Sequence, residues 1–463
     1  MTEQLKLKLN DSKATRWGAL VIVAFTMMAA YYVNDVVAAL KTMLETDLAW
    51  SSTDFGFFTG GYSFLNVFFL MLIWGGLILD RFGIRFTGKL ATILMVGGTA
   101  LEYYAMTGLA GADATLFGIN EIFGYKTGVF VAFAGYSIFG VGAEVAGITV
   151  SKIIAKWFKG KELATAMGVQ VALARIGSQA GYAVAIPLAR AFGISTPVLL
   201  GLVLLLGGMI AFFIFAVMDK KLDKQMEAAA IAAGTEDEEE KFSFKDVKNI
   251  LVNPGFWLIA LLCVLFYSCV FPFQKFASEL MIIKYGINEN VAGTFAGLPA
   301  LGALILTPVF GGFIDKRGKS ASIMLLGSAM LICVHFIYAI PDINYWLVAI
   351  VLMIILGIAF SLVPSAMWPA VAKIFPVSQL GTAYALIFFI QNIGLWGIPT
   401  LIGWVLDAYC ISGKKPDGTN MYDYTVPMCI FTGIACLSLI VALLLKKADK
   451  KYGYKLEEPN IQK

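Results

Sequence analysis

Charged residues are scarce in this sequence, and their scarcity is the first guide to its class. Asp, Glu, Lys and Arg make up 14% of the 463 residues, whereas hydrophobic residues make up 59%. Soluble proteins average about 25% charged residues, so an ordinary soluble domain is excluded. Apolar runs of about 20 residues recur along the chain, and each can cross roughly 30 Å of hydrocarbon as a helix. Backbone groups in lipid must bond within their own segment, so the sequence predicts an all-α membrane protein.

The sequence also has little of the chemistry that enzymes and metal sites need. His335 is the sole histidine, and we interpret it as a helix-packing residue rather than a proton relay. The six cysteines show no metal-ligand spacing and lie mostly inside apolar runs. No H-E-x-x-H, G-x-S-x-G or paired-aspartate motif occurs. We therefore expect no enzyme, cofactor, metal site or disulfide framework. The positive charges flank the apolar runs, so the net charge of +4 indicates no nucleic-acid partner.

Hydropathy predicts twelve membrane spans. Their approximate ranges are 17–40, 53–79, 86–108, 128–153, 162–189, 196–218, 255–277, 291–314, 320–340, 345–373, 379–407 and 425–446. An even number of spans places both termini on one side of the membrane. Lys and Arg concentrate in the loops on that side, so the positive-inside rule predicts cytoplasmic termini.

The longest connection between spans divides the chain into two halves. It contains the acidic run Gly234–Glu240, "GTEDEEE", which is typical of a solvated linker. Phe244, Val247, Ile250 and Leu251 then share one helical face, which predicts a short helix in the cytoplasmic interface. The expected divisions are a cytoplasmic N-terminal segment (1–16), a six-helix bundle (17–218), a cytoplasmic linker (219–254), a second six-helix bundle (255–446) and a cytoplasmic tail (447–463).

Two sequence echoes relate the halves. "GGLILDRFG" (Gly75–Gly83) follows the second span, and "GGFIDKRG" (Gly311–Gly318) follows the eighth. "KWFKGKELATAMG" (Lys156–Gly168) follows the fourth span and is similar to "KIFPVSQLGTAYA" (Lys373–Ala385) after the tenth. Two parallel six-span repeats are a known plan of membrane transporters, with the substrate site near the bilayer midplane.

The pattern G-x-x-x-D-[RK]-x-G after the second span resembles the signature loop of the major facilitator superfamily, and a weaker copy follows the eighth span. The resemblance covers nearly the whole chain. It implies two pseudo-symmetric six-helix bundles that rock around a central site. It implies a gating role for the loop residues, which are Gly76, Asp80, Arg81, Gly83, Gly311, Asp315, Lys316 and Gly318.

The same resemblance implies that each loop aspartate faces a helix N-terminus in the opposite half. Asp80 would face the helix that begins near Ser378, and Asp315 the helix that begins near Lys161. Such a contact contributes about 0.3–1 kcal/mol, which suits a latch that must open again. Alternatively, these charges only enforce topology and tight turns.

Two ionisable residues lie in the middle of spans, Glu144 in the fourth and Arg175 in the fifth. Each costs about 2.5–3.5 kcal/mol by insertion scales, so each needs a partner or a function. Their similar depth on adjacent antiparallel helices lets them meet. Either they form a structural ion pair, or they receive the ammonium and carboxylate of a substrate. Gln179 and Tyr182 share the helix face of Arg175 and extend a polar stripe.

The outer thirds of three spans carry further polar candidates. Asp35 follows Tyr31 in the first span, and Lys275 follows Tyr267 in the seventh. These residues form either an outer vestibule or gate, or snorkelling groups at the interface. Glu102 in the third span is a further carboxylate at a comparable depth.

The eleventh span carries the remaining site candidates. Gln391 and Asn392 lie at the repeat-equivalent position of Arg175, and Trp396 one turn later can supply an aromatic wall. The segment Ser365–Pro399 contains W-P, Q-L-G-T-A-Y and I-Q-N-I-G. It resembles the group of major facilitator superfamily domain-containing protein 1, whose members carry dipeptides. That resemblance implies a dipeptide or related zwitterion as substrate, clamped by Glu144 and Arg175.

Other functions stay open. An organic-anion exchanger would use Arg175, and a proton-coupled metabolite symporter would use Glu144, Asp35 or Glu102. A transport-inactive receptor or scaffold of the same fold is the alternative outside transport. We expect a monomer in the lipid bilayer that moves a small polar solute by facilitative or secondary-active alternating access, with protons as an open second partner. The chain shows no evident lysosomal sorting tail, and we expect it in a bacterial cytoplasmic (inner) membrane.

Overall fold

The computed structural model describes residues 8–111, 114–158, 161–233 and 244–459, and most of them are helical. The first half holds α1 (Lys13–Val36), α2 (Lys41–Asp47), α3 (Ser52–Phe68), α4 (Met71–Thr107), α5 (Thr127–Trp157), α6 (Leu163–Phe192) and α7 (Thr196–Ala233). The second half holds α8 (Phe244–Val252), α9 (Pro254–Tyr285), α10 (Glu289–Ala296), α11 (Leu298–Arg317), α12 (Ser320–Ala339), α13 (Trp346–Ile374), α14 (Val377–Tyr409) and α15 (Thr425–Tyr452). Two antiparallel hairpins pair β1 (Glu121–Ile122) with β2 (Tyr125–Lys126), and β3 (Ile411–Lys414) with β4 (Asn420–Tyr422).

Within the described residues, nine helical segments are long and apolar enough to cross a membrane, or ten if the bent pair α3–α4 is one span, and the expected number of twelve stays a prediction. A 3-10 turn, Val37–Leu40, joins α1 and α2 into the first span. The second span is α3 plus the first arm of α4, with a 58° bend between the two helices. Gly83 then divides α4, because its φ of 75° and ψ of 175° are open to glycine and costly for other residues. The eighth span is α10 followed by α11.

Glycines let the helices within each bundle approach closely. A Cβ added to Gly140 of α5 would lie 2.0 Å from the carbonyl oxygen of Tyr62 on α3. One added to Gly177 of α6 would lie 2.1 Å from the carbonyl oxygen of Met28 on α1. Larger residues would push these helices apart, so the contacts favour bundles that move as units.

The two bundles meet through their outer halves, where "inner" denotes the face that carries both termini. A Cβ added to Gly403 of α14 would lie 2.3 Å from the carbonyl oxygen of Ser52 on α3. At the inner ends of α4 and α11, a Cβ added to Gly76 or Gly311 would meet no described atom within 4 Å. The bundles are therefore in close contact at the outer side, and Gly76 and Gly311 take no part in a comparable contact among the described residues.

Some boundaries differ from the sequence expectations. α7 continues to Ala233, past the expected span end at 218, because the Lys-, Glu- and Ala-rich stretch that follows consists of good helix formers. The acidic run Gly234–Glu240 lies outside the described residues, and α8 lies where the interfacial helix is expected. The two hairpins in the outer loops were not predicted.

Candidate substrate site and gates

Arg175 projects from α6 into the space between the bundles. Its guanidinium carbon lies 5.5 Å from the ring centre of Tyr31 on α1 and 4.9 Å from that of Phe360 on α13. Both distances are within cation–π range. Ring faces attract the cation without using its N–H donors, which stay available for a ligand. A cleft of about 240 Å³ beside Arg175 is also lined by Gln179 and by Leu301 of α11.

Glu144 on α5 accepts a hydrogen bond from the Tyr62 hydroxyl on α3 at 3.0 Å. The structural ion pair with Arg175, one of the two alternatives above, is absent in this conformation, since no ion pair within 4.0 Å joins the two described groups. Each charge instead has an aromatic partner of its own, Tyr62 for Glu144 and the Tyr31 ring for Arg175. Their similar depth in the sequence could not reveal these partners.

Aromatic residues of the second bundle form the opposite wall. The Tyr267 hydroxyl on α9 accepts a hydrogen bond from Nε1 of Trp368 on α13 at 3.3 Å. The Tyr267 ring stacks on Phe271 at 5.5 Å, and Phe271 meets Phe360 edge to face at 5.3 Å. Sequence reasoning identified Tyr267 but missed Trp368 and Phe360, because aromatic residues inside an apolar span give no polarity signal.

The predicted polar stripe of α6 divides between two roles. Gln179 donates from Nε2 to the carbonyl oxygen of Thr294 on α10 at 3.3 Å. Tyr182 donates to the carbonyl oxygen of Gln274 on α9 at 3.4 Å. Both residues therefore join the bundles, although Oε1 of Gln179 has no partner among the described residues.

The candidates of α14 lie on different sides of that helix. Oε1 of Gln391 accepts a hydrogen bond from the Cys263 thiol at 3.4 Å, inside the second bundle. Nδ2 of Asn392 donates to its own helix at 2.9 Å, whereas its buried Oδ1 finds no partner in the described chain. Trp396 meets Phe68 edge to face at 4.7 Å, at the contact between α14 and α3. Asn392 thus keeps a free acceptor, and Trp396 serves bundle packing.

The outer candidates come together across the bundle interface. Nζ of Lys275 on α9 lies 2.5 Å from the carbonyl oxygen of Asn34 and 3.4 Å from Oδ1 of Asp35, both on α1. It also donates to the Tyr136 hydroxyl on α5 at 3.3 Å. Lys275 therefore inserts between two helices of the first bundle and holds the outer side closed.

A second group of outer charges was not predicted. Nζ of Lys41 on α2 lies 2.5 Å from Glu45 and 2.5 Å from Glu279 on α9. Lys415, just after β3, lies 3.4 Å from Glu45 and 3.6 Å from Glu279. Tyr424 donates to Glu279. We call Lys41, Glu45, Glu279 and Lys415 the outer lock. Its two cations and two carboxylates balance, and Lys41 and Glu279 are fully buried.

The sequence carried a signal for the outer lock. Lys41 and Glu45 have the i,i+4 spacing of a helical ion pair. The expected first and seventh spans ended at 40 and 277, so Lys41, Glu45 and Glu279 were treated as loop residues. The structure extends those spans to Asp47 and Tyr285, which places the three side chains inside helices.

A carboxylate at a helix N-terminus also occurs on the outer side. Asp407 of α14 accepts hydrogen bonds from the backbone amides of Ser52 at 3.3 Å and Thr53 at 2.5 Å, in the first turn of α3. Asp407 belongs to one bundle and α3 to the other. The type of latch that the resemblance implies for the inner side is therefore formed here at the outer side.

The inner signature loops pair within their own bundles in this conformation. Asp80 lies 3.1 Å from Lys152 of α5, and Asp315 interacts electrostatically with Lys373 at the end of α13. Lys161 contacts Asp11 at 2.8 Å and holds the pKa of that carboxyl below its usual range. Asp80 thus has a partner in its own bundle here, and the two inner latches stay a prediction. The side chain of Ser378 is not among those that the structure describes.

The remaining loop residues have local roles. Gly318 has a φ of 70°, and a Cβ there would lie 2.6 Å from the carbonyl oxygen of Glu458 in the C-terminal tail. Arg81 lies 5.5 Å from the ring centre of Phe82, and Lys316 is in the last turn of α11. His335 bonds through Nε2 to the carbonyl oxygen of Cys269 at 3.0 Å.

Two helical bundles that meet at their outer halves, with charged residues in the middle of their spans, are the plan of a membrane transporter. The sequence matches the Major Facilitator Superfamily over residues 19–399 and 285–458. The chain belongs to this superfamily, as the signature loop indicated.

Relatives with curated names point to the same group as the α13–α14 segment. The human lysosomal dipeptide transporter MFSD1 is 29% identical over 454 residues, which cover 95% of this chain and 88% of that protein. The protein of the same name from Gallus gallus is 33% identical over 287 residues, which cover 59% of this chain and 62% of that one. The expected resemblance to this group is thereby confirmed.

Solved structures of other transporters share the fold. A mutant of the nucleoside transporter NupG superposes with a TM-score of 0.68 at 12% identity, over 92% of this chain and 98% of that one. A bacterial homologue of the human lysosomal transporter Spinster superposes with a TM-score of 0.62 at 14% identity, over 98% of this chain and 99% of that one. The expected all-α, two-bundle fold class is confirmed.

Proposed function

We propose that this protein moves a dipeptide or related zwitterion across the membrane, with Arg175 binding the substrate carboxylate and Glu144 its ammonium. One observation carries the proposal: Arg175 and Glu144 are opposite charges on neighbouring spans, and each contacts an aromatic residue rather than the other charge. A guanidinium binds a carboxylate bidentately. A carboxylate accepts hydrogen bonds from an ammonium group. The dipeptide transporters among the relatives support the same substrate class.

The rest of the site suits the middle of a short peptide. Oδ1 of Asn392 and Oε1 of Gln179 are acceptors without partners in the described chain, and a peptide N–H can satisfy either. Tyr267 and Trp368 offer ring surface for a substrate side chain. The contacts to the peptide ends and N–H groups do not depend on the substrate's side chains, which favours a carrier of many dipeptides over a carrier of one.

Transport then follows by rocking of the bundles. The outer side is closed by the outer lock, the Lys275–Asp35 contact and the Asp407 latch, so this conformation faces the inner side. To face outward, the bundles separate at those contacts and approach at the inner ends. Asp80 and Asp315 would then exchange their partners for helix N-termini of the opposite bundle.

Uptake of labelled dipeptides into liposomes tests the substrate clamp. Arg175→Met and Glu144→Gln should each lower uptake at least tenfold. Blocking the carboxyl or amino end of the peptide should abolish uptake by the wild type. Arg190→Met is the matched control, because Arg190 lies on the same helix and is exposed at the outer face. It should keep most of the uptake.

The double variant Glu144→Gln/Arg175→Met distinguishes substrate binding by the two charges from a purely structural role. If the two charges only compensate each other's burial, the double variant should regain both melting temperature and uptake. If they bind substrate, it should stay inactive although stable. Near wild-type uptake by the stable double variant would contradict the clamp.

Organic-anion exchange is a second candidate function. It is favoured by the Arg175 guanidinium, which has no carboxylate partner among the described residues. In that case a panel of small organic anions should replace dipeptides in the uptake assay. Glu144→Gln should then raise anion uptake, since it removes an opposing charge.

The protein is a multi-pass membrane protein. The expected bacterial cytoplasmic membrane is not supported, because the relatives described above are lysosomal transporters. Fluorescence of a tagged full chain in its native cell tests the assignment.

A further inference from the structure

Glu102 is a buried carboxyl group that none of the transport steps above uses. It lies in the second arm of α4 and is fully buried. Neither of its carboxylate oxygens has a hydrogen-bond partner among the described residues. α5 packs directly on its backbone, because a Cβ added to Gly135 would lie 2.8 Å from the Glu102 amide nitrogen. An ionised carboxylate without donors in such a place costs several kcal/mol.

Few titratable groups face Glu102. From α9, Lys275 reaches the Tyr136 hydroxyl of α5 at 3.3 Å, and its charge also acts on Glu102. From α5, the Tyr136 hydroxyl is the titratable neighbour. From α1, Asp35 completes the group through its 3.4 Å contact with Lys275. From α7, which also packs on α4, nothing titratable faces it, since that helix carries no ionisable residue between Thr196 and Asp219.

The charges of this group do not balance. It holds one cation, Lys275, and two carboxyl groups, Asp35 and Glu102, whereas the outer lock holds two of each. Asp35 has both the Lys275 contact and a hydrogen bond from Nδ2 of Asn34 at 2.8 Å. Glu102 has no hydrogen-bond donor among the described residues. If both carboxyl groups were ionised, the uncompensated negative charge would therefore be on Glu102.

We propose that Glu102 is a proton-binding site: it holds one proton while the outer side is closed and releases it when the outer side opens. Asp35, Tyr136 and Glu102 belong to the first bundle, and Lys275 belongs to the second. Outer opening therefore withdraws Lys275 and leaves a space that water enters. Glu102 then ionises in contact with the outer solution.

The proposal fixes the sign of a pH effect. Since closure takes up a proton, the closed state is favoured as the outer pH falls. One proton changes the ratio of closed to open molecules by up to about tenfold per pH unit. This linkage requires no particular substrate, so it stands or falls separately from the dipeptide proposal.

The test measures the outer distance between the bundles as a function of pH. Spin labels replace Glu121 and Asp342, which are exposed in outer loops of the first and second bundle, after alanine has replaced the native cysteines. The full chain is reconstituted without substrate, in choline chloride, and pulsed electron paramagnetic resonance gives the populations from pH 5 to pH 9. We expect the short-distance population of the wild type to fall as the pH rises.

Two variants locate the proton. Glu102→Gln, which mimics the protonated side chain, should remove the pH dependence and leave the closed state populated at every pH. Thr99→Val is the matched control on the same helix, because Thr99 is also buried without a described partner. It should keep the wild-type slope. Asp35→Asn should also lose the slope, since Lys275 then balances an ionised Glu102.

Three results would overturn the proposal. The wild type could show no pH dependence, or Glu102→Gln could keep it. Asp35→Asn could keep the full slope, which would contradict the charge count. If the short-distance population depended on NaCl at fixed pH and not on pH, a sodium ion rather than a proton would compensate the surplus negative charge. The proton site would then be rejected.

Discussion

Glu279→Gln should turn the outer lock from a stabilising contact into a defect. The wild-type lock has two cations and two carboxylates, and the variant leaves one positive charge in excess beside the fully buried Lys41. Removing one partner of a buried ion pair costs about 3–5 kcal/mol. Lys415 is partly exposed, so water relieves part of the penalty and we take the lower limit. About 3 kcal/mol corresponds to roughly 10²-fold in an equilibrium.

The penalty falls on one conformation. Outer opening hydrates Lys41, so the outward-facing state escapes the cost and its population should rise by that factor. Labels in place of Glu121 and Asp342 report the change as growth of the long-distance population. The control is Glu289→Gln, because Glu289 pairs with Arg190 across the same interface but is exposed. An exposed pair contributes about 0–1 kcal/mol, so this variant should shift the ratio by roughly fivefold or less.

A compensating change makes the reasoning refutable. Adding Lys41→Met to Glu279→Gln removes one charge of each sign and leaves Glu45 with Lys415. The double variant should recover the closed outer side. If Glu279→Gln and the control Glu289→Gln had equal effects on the label distances, or if the double variant did not recover, the outer lock would not control the conformation.

Three other predictions concern the gates and the topology. Gly403→Val should keep the outer side open, because its Cβ would meet the carbonyl oxygen of Ser52 at 2.3 Å; Gly397→Val, with no described atom within 4 Å, is the control for the outer label distance. Asp80→Asn should weaken the outward-facing state and raise the accessibility of inner-side cysteines to a soluble thiol reagent, whereas unchanged accessibility with full transport would contradict the latch. Reporter fusions at the C-terminus and within loop 109–127 should lie on opposite sides of the membrane, and same-side signals would contradict twelve spans.

The sequence by itself determined the architecture. Lipid leaves the backbone no partner but itself, so long apolar runs can only be helices. The repeated loops around Asp80 and Asp315 indicated two related halves and the superfamily. Mid-span charges are costly enough to stand out, and Glu144 and Arg175 were recognised on that ground. These inferences depend on composition, spacing and local backbone chemistry.

The tertiary structure decided which of these residues meet. Glu144 and Arg175 share a depth, yet Glu144 contacts Tyr62 and Arg175 contacts Tyr31 and Phe360. The structure extends the first and seventh spans, which places three apparent loop charges inside helices: Lys41, Glu45 and Glu279. Lys415, which is distant in sequence from the first two, completes the outer lock. Nothing in the sequence assigned Phe360 and Trp368 to the site, because both are aromatic residues within an apolar span. Charge balance is a property of side chains that are close in space. The surplus carboxyl group at Glu102 could therefore be recognised only from the packed structure.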